Sequence, residues 1–170
     1  FVAIMGESGS GKTTLLNIIT GLISADSGEI IAEQNKKISV VFQEDRLCEK
    51  LSSVVNVRIV CDSKTDIKSI ESNLEAVGLT ADDIKKPASE LSGGMKRRTA
   101  IVRAVMAQSS MIILDEPFKG LDTATRQKTI RYILENTNGR TLIVITHDAD
   151  ETALLGGEIV EMNTTINAEQ

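Results

Sequence analysis

The sequence predicts an α/β fold with a mostly parallel sheet flanked by helices. Four short, mostly apolar runs are spaced along the chain, at Phe1–Met5, Ile38–Phe42, Met111–Leu114 and Thr141–Ile145. Strands buried on both faces show this pattern, as in a parallel sheet covered by helices. Because helical patterns separate these runs, the connections are expected to be right-handed crossovers. The length of 170 residues suits one such domain.

Helical patterns fill the intervals between the predicted strands. Apolar residues repeat at helical spacing in three sets: Leu15, Ile18, Ile19 and Leu22; Ile67, Ile70, Leu74 and Val77; Ile130, Ile133 and Leu134. Asp148, with Glu151 three residues later, predicts a helix N-cap with its capping partner. The stretch 62–108 is mostly helical by pattern, so we expect a helical subdomain inserted between two core parts, 1–61 and 109–170.

The composition excludes several classes of function. The formal net charge of −5 argues against electrostatic nucleic-acid binding by the chain as a whole. No apolar run approaches the ~18–20 residues needed to span a bilayer. Aromatic residues make up 2% of the chain, which disfavours binding by aromatic stacking. Cys48 and Cys61 have no histidine near them, so free thiols are favoured over a disulfide, and a zinc site is not supported.

A glycine-rich segment follows the first predicted strand directly and precedes a helix. It fits the phosphate-loop pattern G-x-x-x-x-G-K-[ST], and the residues expected to bind a nucleotide are Gly6, Glu7, Ser8, Gly9, Ser10, Gly11, Lys12, Thr13 and Thr14. Backbone N–H groups of such a loop surround an anion, and the helix N-terminus adds partial positive charge. Lys12 is expected to reach the β- and γ-phosphates and the Thr13 hydroxyl to bind Mg²⁺. The alternative, a strand-to-helix turn without a ligand, is disfavoured by the flanking elements.

Two adjacent carboxylates end the third apolar run. Asp115 and Glu116 follow Met111–Leu114, and a buried strand end is a costly place for two negative charges unless a cation faces them. Mg²⁺ supplies that charge if Asp115 binds it. Glu116 then lies one residue nearer the γ-phosphate, where it can accept a proton from an attacking water. The alternative is a helix N-cap with a neighbouring acid.

A second anion site is indicated far from the first in sequence. Ser92, Gly93 and Gly94 open an amphipathic helix whose free N–H groups attract an anion. With Leu91 and Met95 they resemble the L-S-G-G-Q signature of the ATP-binding cassette (ABC) family. The resemblance covers nearly the whole chain, and it implies an ATP-hydrolysing domain that dimerises head to tail. Each signature then covers the ATP of the partner subunit.

The resemblance also implies roles for residues that composition alone does not single out. Gln43 is similar to the Q-loop glutamine that contacts Mg²⁺ and the attacking water, and Asp122 to the D-loop aspartate at the dimer interface. His147, otherwise a weak candidate as a lone histidine, is similar to the switch histidine that holds the γ-phosphate. The expected catalytic residues are therefore Glu116, His147, Gln43 and Lys12, with ATP as nucleotide and Mg²⁺ held by Thr13, Gln43 and Asp115.

Details of the motifs narrow the resemblance to importer ATPases of the nitrate, sulfonate and taurine type. The segments 42–47 and 115–118 are similar to that group, and Met95 replaces glutamine there too; Lys119-Gly120 departs from the usual small pair. This type implies an integral membrane permease as partner and a peripheral location on the inner, cytoplasmic face of the cell membrane. Five apolar residues after Gln43 either border the groove for the permease or pack in the core: Leu47, Leu51, Val54, Val55 and Val57.

Other interpretations remain open at this point. An ABC ATPase of the DNA-repair or chromosome-organising type is disfavoured, because only 49 residues separate Gln43 from Ser92, without sustained heptads. Members of the family carry a segment ahead of the phosphate-loop strand, with an aromatic residue that stacks on adenine. The sequence begins at Phe1 within that strand, so we expect the N-terminal β-subdomain to be truncated. A dimerisation module with little hydrolysis in this truncated form is the alternative function.

Overall fold

One five-stranded parallel sheet organises the chain, as seen in a computed structural model that describes residues 1–31 and 37–162. The strands are β1 (Val2–Met5), β2 (Ile38–Val41), β3 (Met111–Asp115), β4 (Thr141–Ile145) and β5 (Glu158–Glu161). Their order across the sheet is β2-β3-β4-β1-β5, and every neighbouring pair is parallel. The predicted α/β class is therefore confirmed, and β5 is an edge strand that the sequence patterns did not predict.

Helices cover both faces of the sheet. They are α1 (Lys12–Ile19), α2 (Ser53–Arg58), α3 (Ile67–Ala76), α4 (Gly93–Met106), α5 (Thr123–Asn136) and α6 (Ala149–Leu155), with short 3-10 turns at Asp83–Lys85 and Ala88–Glu90. In the middle of the chain, α4 packs against both α2 and α3 and also reaches β2 and β3. Across the two described ranges, no helix is both long and apolar enough to cross a membrane.

The core is divided by the sheet into two parts. In β3, Ile112 and Leu114 pack with the larger group of helices, whereas Ile113 faces α1, as the alternation of side chains along a strand requires. The helix α1 ends at Ile19, because Gly21 adopts a positive φ of 73° and stops the helix. Leu22, which the sequence pattern placed on this helix, therefore lies beyond its end and is exposed.

Side-chain caps determine where three of the helices begin. Ser52, Ser92 and Asp122 each accept a hydrogen bond from the backbone N–H three residues later, at the starts of α2, α4 and α5. Each bond satisfies one of the N–H groups that a first helical turn leaves without a partner. The start of the signature helix at Gly93 is thereby fixed by Ser92 itself.

The predicted capping partnership of Glu151 is wrong. Asp148 does cap α6, but its own N–H donates to Thr146 Oγ1 at 3.1 Å and not to Glu151. The Glu151 side chain is buried, where it accepts a 2.5 Å hydrogen bond from Thr146 Oγ1 and lies 3.7 Å from Arg126 Nη1. A buried carboxylate needs a donor and a nearby cation, and Thr146 and Arg126 supply both.

The parallel sheet gathers the candidate site residues at one edge. The chain leaves the carboxyl ends of β1, β2, β3 and β4 into segments that carry the glycine-rich loop, Gln43, Glu116 and His147 respectively. Ligands of open parallel sheets bind outside this edge. The fold therefore brings together residues that are far apart in sequence.

Candidate active site

The glycine-rich loop joins β1 to α1 and surrounds the amine of Lys12. Gly9 and Gly11 adopt φ values of 87° and 88°, which an L side chain would disfavour. Lys12 is buried, and its Nζ donates to the carbonyl oxygens of Gly6 at 2.8 Å and Glu7 at 2.6 Å. These contacts hold one positive charge at the mouth of the loop, directly at the N-terminus of α1.

Asp115 brings a buried negative charge to the same place. It is the last residue of β3, and Thr13 Oγ1 donates to its Oδ2 across 3.5 Å. Burial raises the pKa of Asp115 and the neighbouring Glu116 charge adds to this, while Thr13 and the charges of Arg97 and Lys12 oppose it. A buried carboxylate beside a hydroxyl is the kind of oxygen donor pair that hard cations bind.

Glu116 contacts three other side chains at this edge of the sheet. Its Oε2 accepts from Gln43 Nε2 at 3.4 Å and from Lys119 Nζ at 3.2 Å, and its Oε1 lies 3.5 Å from His147 Nδ1. Burial raises the pKa of Glu116, but the Lys119 hydrogen bond and charge, together with His147, outweigh it, so the pKa lies below its usual value. Glu116 is therefore ionised and able to accept a proton.

The backbone at Glu116 is in an uncommon conformation. Its φ is +45°, and its N–H donates to the carbonyl oxygen of Ile145 at 2.9 Å, which joins the ends of β3 and β4. A non-glycine residue with positive φ costs energy and persists only where its surroundings impose it. Glu116 lines the same cavity as the glycine-rich loop.

These residues line one cavity of about 250 Å³. Its lining is formed by Ser8, Gly9, Gly11, Lys12, Thr13, Thr14, Gln43, Asp115 and Glu116. Most of the residues that the sequence analysis assigned to nucleotide binding, metal binding or proton transfer thus lie together in this cavity. The His147 side chain is 66% exposed and is not part of this lining, but its Nδ1 lies 3.5 Å from Glu116 Oε1.

The signature residues lie elsewhere. Ser92, Gly93 and Gly94 form the N-terminal end of α4, and among the described residues that line the cavity none belongs to this set. A Cβ atom on Gly93 would meet no heavy atom within 4 Å, so this helix end is open to its surroundings. Gly94 is close to Leu121, 3.2 Å from a Cβ position to Cδ2.

Two arginines of α4 hold the Q-loop segment, defined here as residues 42–46. Arg97 donates to the carbonyl oxygens of Phe42, at 2.6 Å, and Gln43, and its Nε lies 3.1 Å from Asp45 Oδ1. Arg103 donates to the carbonyl oxygens of residues 45 and 46 at 3.0 and 2.9 Å. The sequence analysis missed this contact, because nothing in the pattern pairs Arg97 with a residue 54 positions earlier.

A second network holds the segment around His147. Arg126 Nη1 donates to Asp148 Oδ2 at 2.8 Å, and Glu151 Oε1 lies 3.7 Å from the same nitrogen. Burial is the largest influence on Glu151 and raises the pKa of its carboxyl group. Asp122, for which the resemblance implies a dimer contact, is exposed and serves in this structure as the N-cap of α5.

The five apolar residues after Gln43 divide between the two interpretations. Val57 is fully buried, and Leu47 and Val54 pack partly buried against the core, so ordinary core packing accounts for these three. Leu51 and Val55 are 36% and 41% exposed, and Ile59, one helical turn after Val55, is 60% exposed. An apolar surface therefore accompanies α2.

Comparisons with known proteins agree with these features. The sequence model of the family described as ABC transporter matches residues 1–119. The aliphatic sulfonates import ATP-binding protein SsuB 1 of Paracoccus denitrificans is 36% identical over 99% of this chain and 70% of its own length. The taurine import ATP-binding protein TauB of Roseobacter denitrificans is also 36% identical, over 95% of this chain and 65% of its own length. The chain thus spans about two thirds of these relatives.

A solved structure extends the likeness to three dimensions. The ATP-binding cassette MJ0796, in a dimeric post-hydrolysis state bound to ADP and Pi, superposes with a TM-score of 0.80 at 29% identity. The match covers 95% of this chain and 80% of that one. The relatives are of the sulfonate and taurine type that the motifs indicated.

Proposed function

The chain belongs to the ABC transporter family of ATPases, and we propose that it is the ATP-hydrolysing subunit of an importer that powers solute uptake through a membrane permease. The observation that carries this proposal is the single cavity in which Lys12, Thr13, Asp115, Glu116 and Gln43 meet. It combines a phosphate-binding loop, an oxygen donor pair and an ionised carboxylate, which are the parts that hydrolysis of a γ-phosphate requires.

In this proposal each residue of the cavity has one task. Lys12 and the N–H groups of the glycine-rich loop bind the β- and γ-phosphates. Glu116 accepts the proton of the attacking water, and its contacts with Gln43 and His147 orient both side chains around that water. Catalysis comes chiefly from positioning and charge stabilisation, because phosphoryl transfer needs little covalent assistance from the protein.

Thr13 and Asp115 fit a Mg²⁺ ion, with Gln43 as a third ligand. The Thr13 hydroxyl and the buried Asp115 carboxylate lie within 3.5 Å of each other at the cavity. In the part of the chain that the structure describes, no group of three His, Cys, Asp or Glu residues could hold a metal, which is compatible with Mg²⁺ that takes its other ligands from phosphates and water. When bound, the ion neutralises charge on the phosphates.

A second subunit completes the site in this proposal. Ser92, Gly93 and Gly94 begin α4 with free N–H groups at an open surface, and they do not line the cavity of their own chain. In a head-to-tail dimer they would face the γ-phosphate bound by the partner subunit. Residues 62–108 would then act as the helical subdomain that carries this signature, between the core parts 1–61 and 109–170.

The permease would dock at the apolar surface that follows the Q-loop segment. Leu51, Val55 and Ile59 expose apolar side chains there, and a contact surface enriched in such residues suits a protein partner. The relatives SsuB 1 and TauB are named as import ATP-binding proteins. A peripheral position on the inner, cytoplasmic face of the membrane follows from that partner.

Steady-state ATP hydrolysis by a Glu116→Gln variant tests the proposal. Removal of the proton acceptor is expected to lower kcat by roughly 10²–10⁴-fold, while the affinity for ATP changes little. Glu75→Gln, an exposed position on α3, is the matched control and should hydrolyse ATP at the rate of the unchanged chain. Unchanged turnover in Glu116→Gln would overturn the assignment of Glu116 as the base.

A further inference from the structure

We propose that Arg97 is a positioning residue that fixes the main chain of Gln43 to the signature helix, so that the Gln43 side chain is held at the nucleotide cavity. This inference rests on the proposed function, because it needs Gln43 to act in ATP hydrolysis. The observation behind it is the pair of hydrogen bonds from the Arg97 guanidinium to the main chain of the Q-loop segment.

The main chain of Gln43 is held by Arg97, whereas its side chain is exposed. Arg97 bonds the carbonyl oxygens of Phe42 and Gln43, whereas the Gln43 side chain is exposed and points its amide toward Glu116. The backbone of Gln43 is therefore fixed while its side chain lines the cavity. A guanidinium with two parallel donors fixes orientation as well as distance.

The burial of Arg97 makes this contact costly to lose. Its side chain is only 9% exposed, and Asp45 Oδ1 at 3.1 Å balances its charge. A buried cation needs such partners. The two carbonyl acceptors and the Asp45 carboxylate all belong to the Q-loop segment, so this segment supplies both hydrogen bonds and an ion pair to the guanidinium.

The helix that carries Arg97 is a firm support for the loop. Arg97 lies five residues after Ser92, which caps the same helix α4. This helix packs against α2 and α3 and also reaches β2 and β3. The main chain of Gln43 is thus anchored to an element that is itself held on several sides.

The first arm of the test is a double-mutant cycle on ATP hydrolysis. Arg97→Lys keeps the charge but cannot make both hydrogen bonds, and we expect kcat to fall roughly 10-fold to 100-fold with KM for ATP changed much less. In a Gln43→Ala background the same substitution should change kcat by less than about twofold, because the two residues act as one unit. If the losses in kcat from Arg97→Lys and Gln43→Ala multiply in the double variant, the proposal is overturned.

A matched control separates positioning from general support of the loop. Arg103→Lys changes the same residue type on the same helix, but Arg103 bonds residues 45 and 46 and not Gln43. Arg103→Lys should lower kcat by a several-fold smaller factor than Arg97→Lys does. In the double variant, the factors for Arg103→Lys and Gln43→Ala should multiply. An Arg103→Lys loss equal to that of Arg97→Lys would contradict the specific role of Arg97. Asp45→Asn removes the ion-pair partner of Arg97 and should lower kcat less than Arg97→Lys does. In a Gln43→Ala background, Asp45→Asn should lower kcat little further.

A second arm does not depend on hydrolysis. Backbone ¹⁵N relaxation should show the order parameters of the Gln43 and Glu44 amides falling from about 0.85 toward 0.6 in Arg97→Lys, with thermal melting to confirm that the variant is folded. Arg103→Lys should leave these two amides rigid. Unchanged order parameters in Arg97→Lys would overturn the inference. Absence of hydrolysis by the unchanged chain would instead overturn the proposed function, and this arm would still decide the role of Arg97.

Discussion

Two loops at the same edge of the sheet each present an exposed functional side chain, and the protein holds them in different ways. After β2, the segment with Gln43 is held through main-chain carbonyl oxygens, which accept hydrogen bonds from Arg97 and Arg103. After β4, the segment with His147 is held through side chains, with Arg126 between the carboxylates of Asp148 and Glu151.

The difference determines how each loop responds to sequence change and to pH. The carbonyl acceptors of the β2 loop do not titrate, although the Asp45 carboxylate that pairs with Arg97 beside them has a pKa that burial raises. The β4 loop depends on carboxylates, and burial raises the pKa of Glu151. Because Arg126 holds the β4 loop through carboxylates, whereas Arg97 and Arg103 also bond carbonyl oxygens of the β2 loop, we expect the β4 loop to be the more sensitive to loss of a charge.

Removal of Arg126, the α5 cation that holds the β4 loop, should have the largest effect on the free energy of unfolding. Arg126→Met leaves Asp148 and buried Glu151 without their shared positive charge, and we expect a loss of about 2–4 kcal/mol in the free energy of unfolding. Urea denaturation measures it. Arg131→Met, an exposed position on the same helix, should stay within about 0.5 kcal/mol of the unchanged chain. Equal losses in the two variants would contradict the network.

The hydroxyl of the same network should matter somewhat less. Thr146→Val keeps the shape but removes the donor to Glu151 and the acceptor for the Asp148 N–H. We expect a loss of about 1–2 kcal/mol in the free energy of unfolding. Thr141→Val, exposed at the start of the same strand, is the control and should be nearly neutral. A neutral Thr146→Val variant would mean that water replaces the hydroxyl.

The buried Glu151 carboxyl group should give the β4 loop a smaller, pH-dependent effect on the free energy of unfolding. Because the pKa of Glu151 is raised in the folded chain, the unfolded chain loses this proton first as the pH rises. The stabilisation that the folded chain gains from this Glu151 proton is complete below the unfolded pKa. It is lost as the pH rises through the folded pKa. Relative to the unchanged chain, Glu151→Gln should therefore gain stability as the pH rises above the unfolded glutamate pKa of about 4.3. Urea denaturation across this range that shows a constant difference would contradict the burial argument.

The apolar surface near the β2 loop should show the smallest effect on the chain itself. Val55→Asp changes an exposed residue, so unfolding should shift by no more than about 0.5 kcal/mol. Its effect should appear in capture of the membrane permease by the full-length subunit, reduced roughly fivefold or more if this surface is the interface. Ile67→Asp, an exposed apolar position on α3, is the control. Equal capture by both variants would place the permease elsewhere.

Local patterns were enough to predict the fold class and most of the cavity. The glycine-rich loop, Gln43 and the two carboxylates each end a strand or begin a helix, and parallel strands bring such positions to one edge. The β5 strand was missed because Glu158–Glu161 is a short edge strand with all four residues exposed, so it lacks the apolar pattern of the others.

Contacts between distant side chains could not be predicted. Glu151 follows Asp148 at the spacing of a capping box, but tertiary burial beside Thr146 and Arg126 overrides that local preference. Lys119 was noticed only as a departure from a family pattern, and its contact with Glu116 depends on the turn that follows β3. The Arg97 contact with Gln43 joins two segments that are 54 positions apart in sequence and meet in the folded chain.

Complementation between two inactive variants tests most directly the claim that one hydrolysis site is built from two chains. Glu116→Gln removes the base, and Gly93→Asp places a carboxylate at an open helix start that tolerates it, where it would repel the partner's γ-phosphate. Each variant alone should be inactive. An equal mixture should recover about a quarter of the original rate of ATP hydrolysis, since half of random dimers are mixed and each has one intact site. A mixture that remains inactive while mixed dimers form would contradict the account.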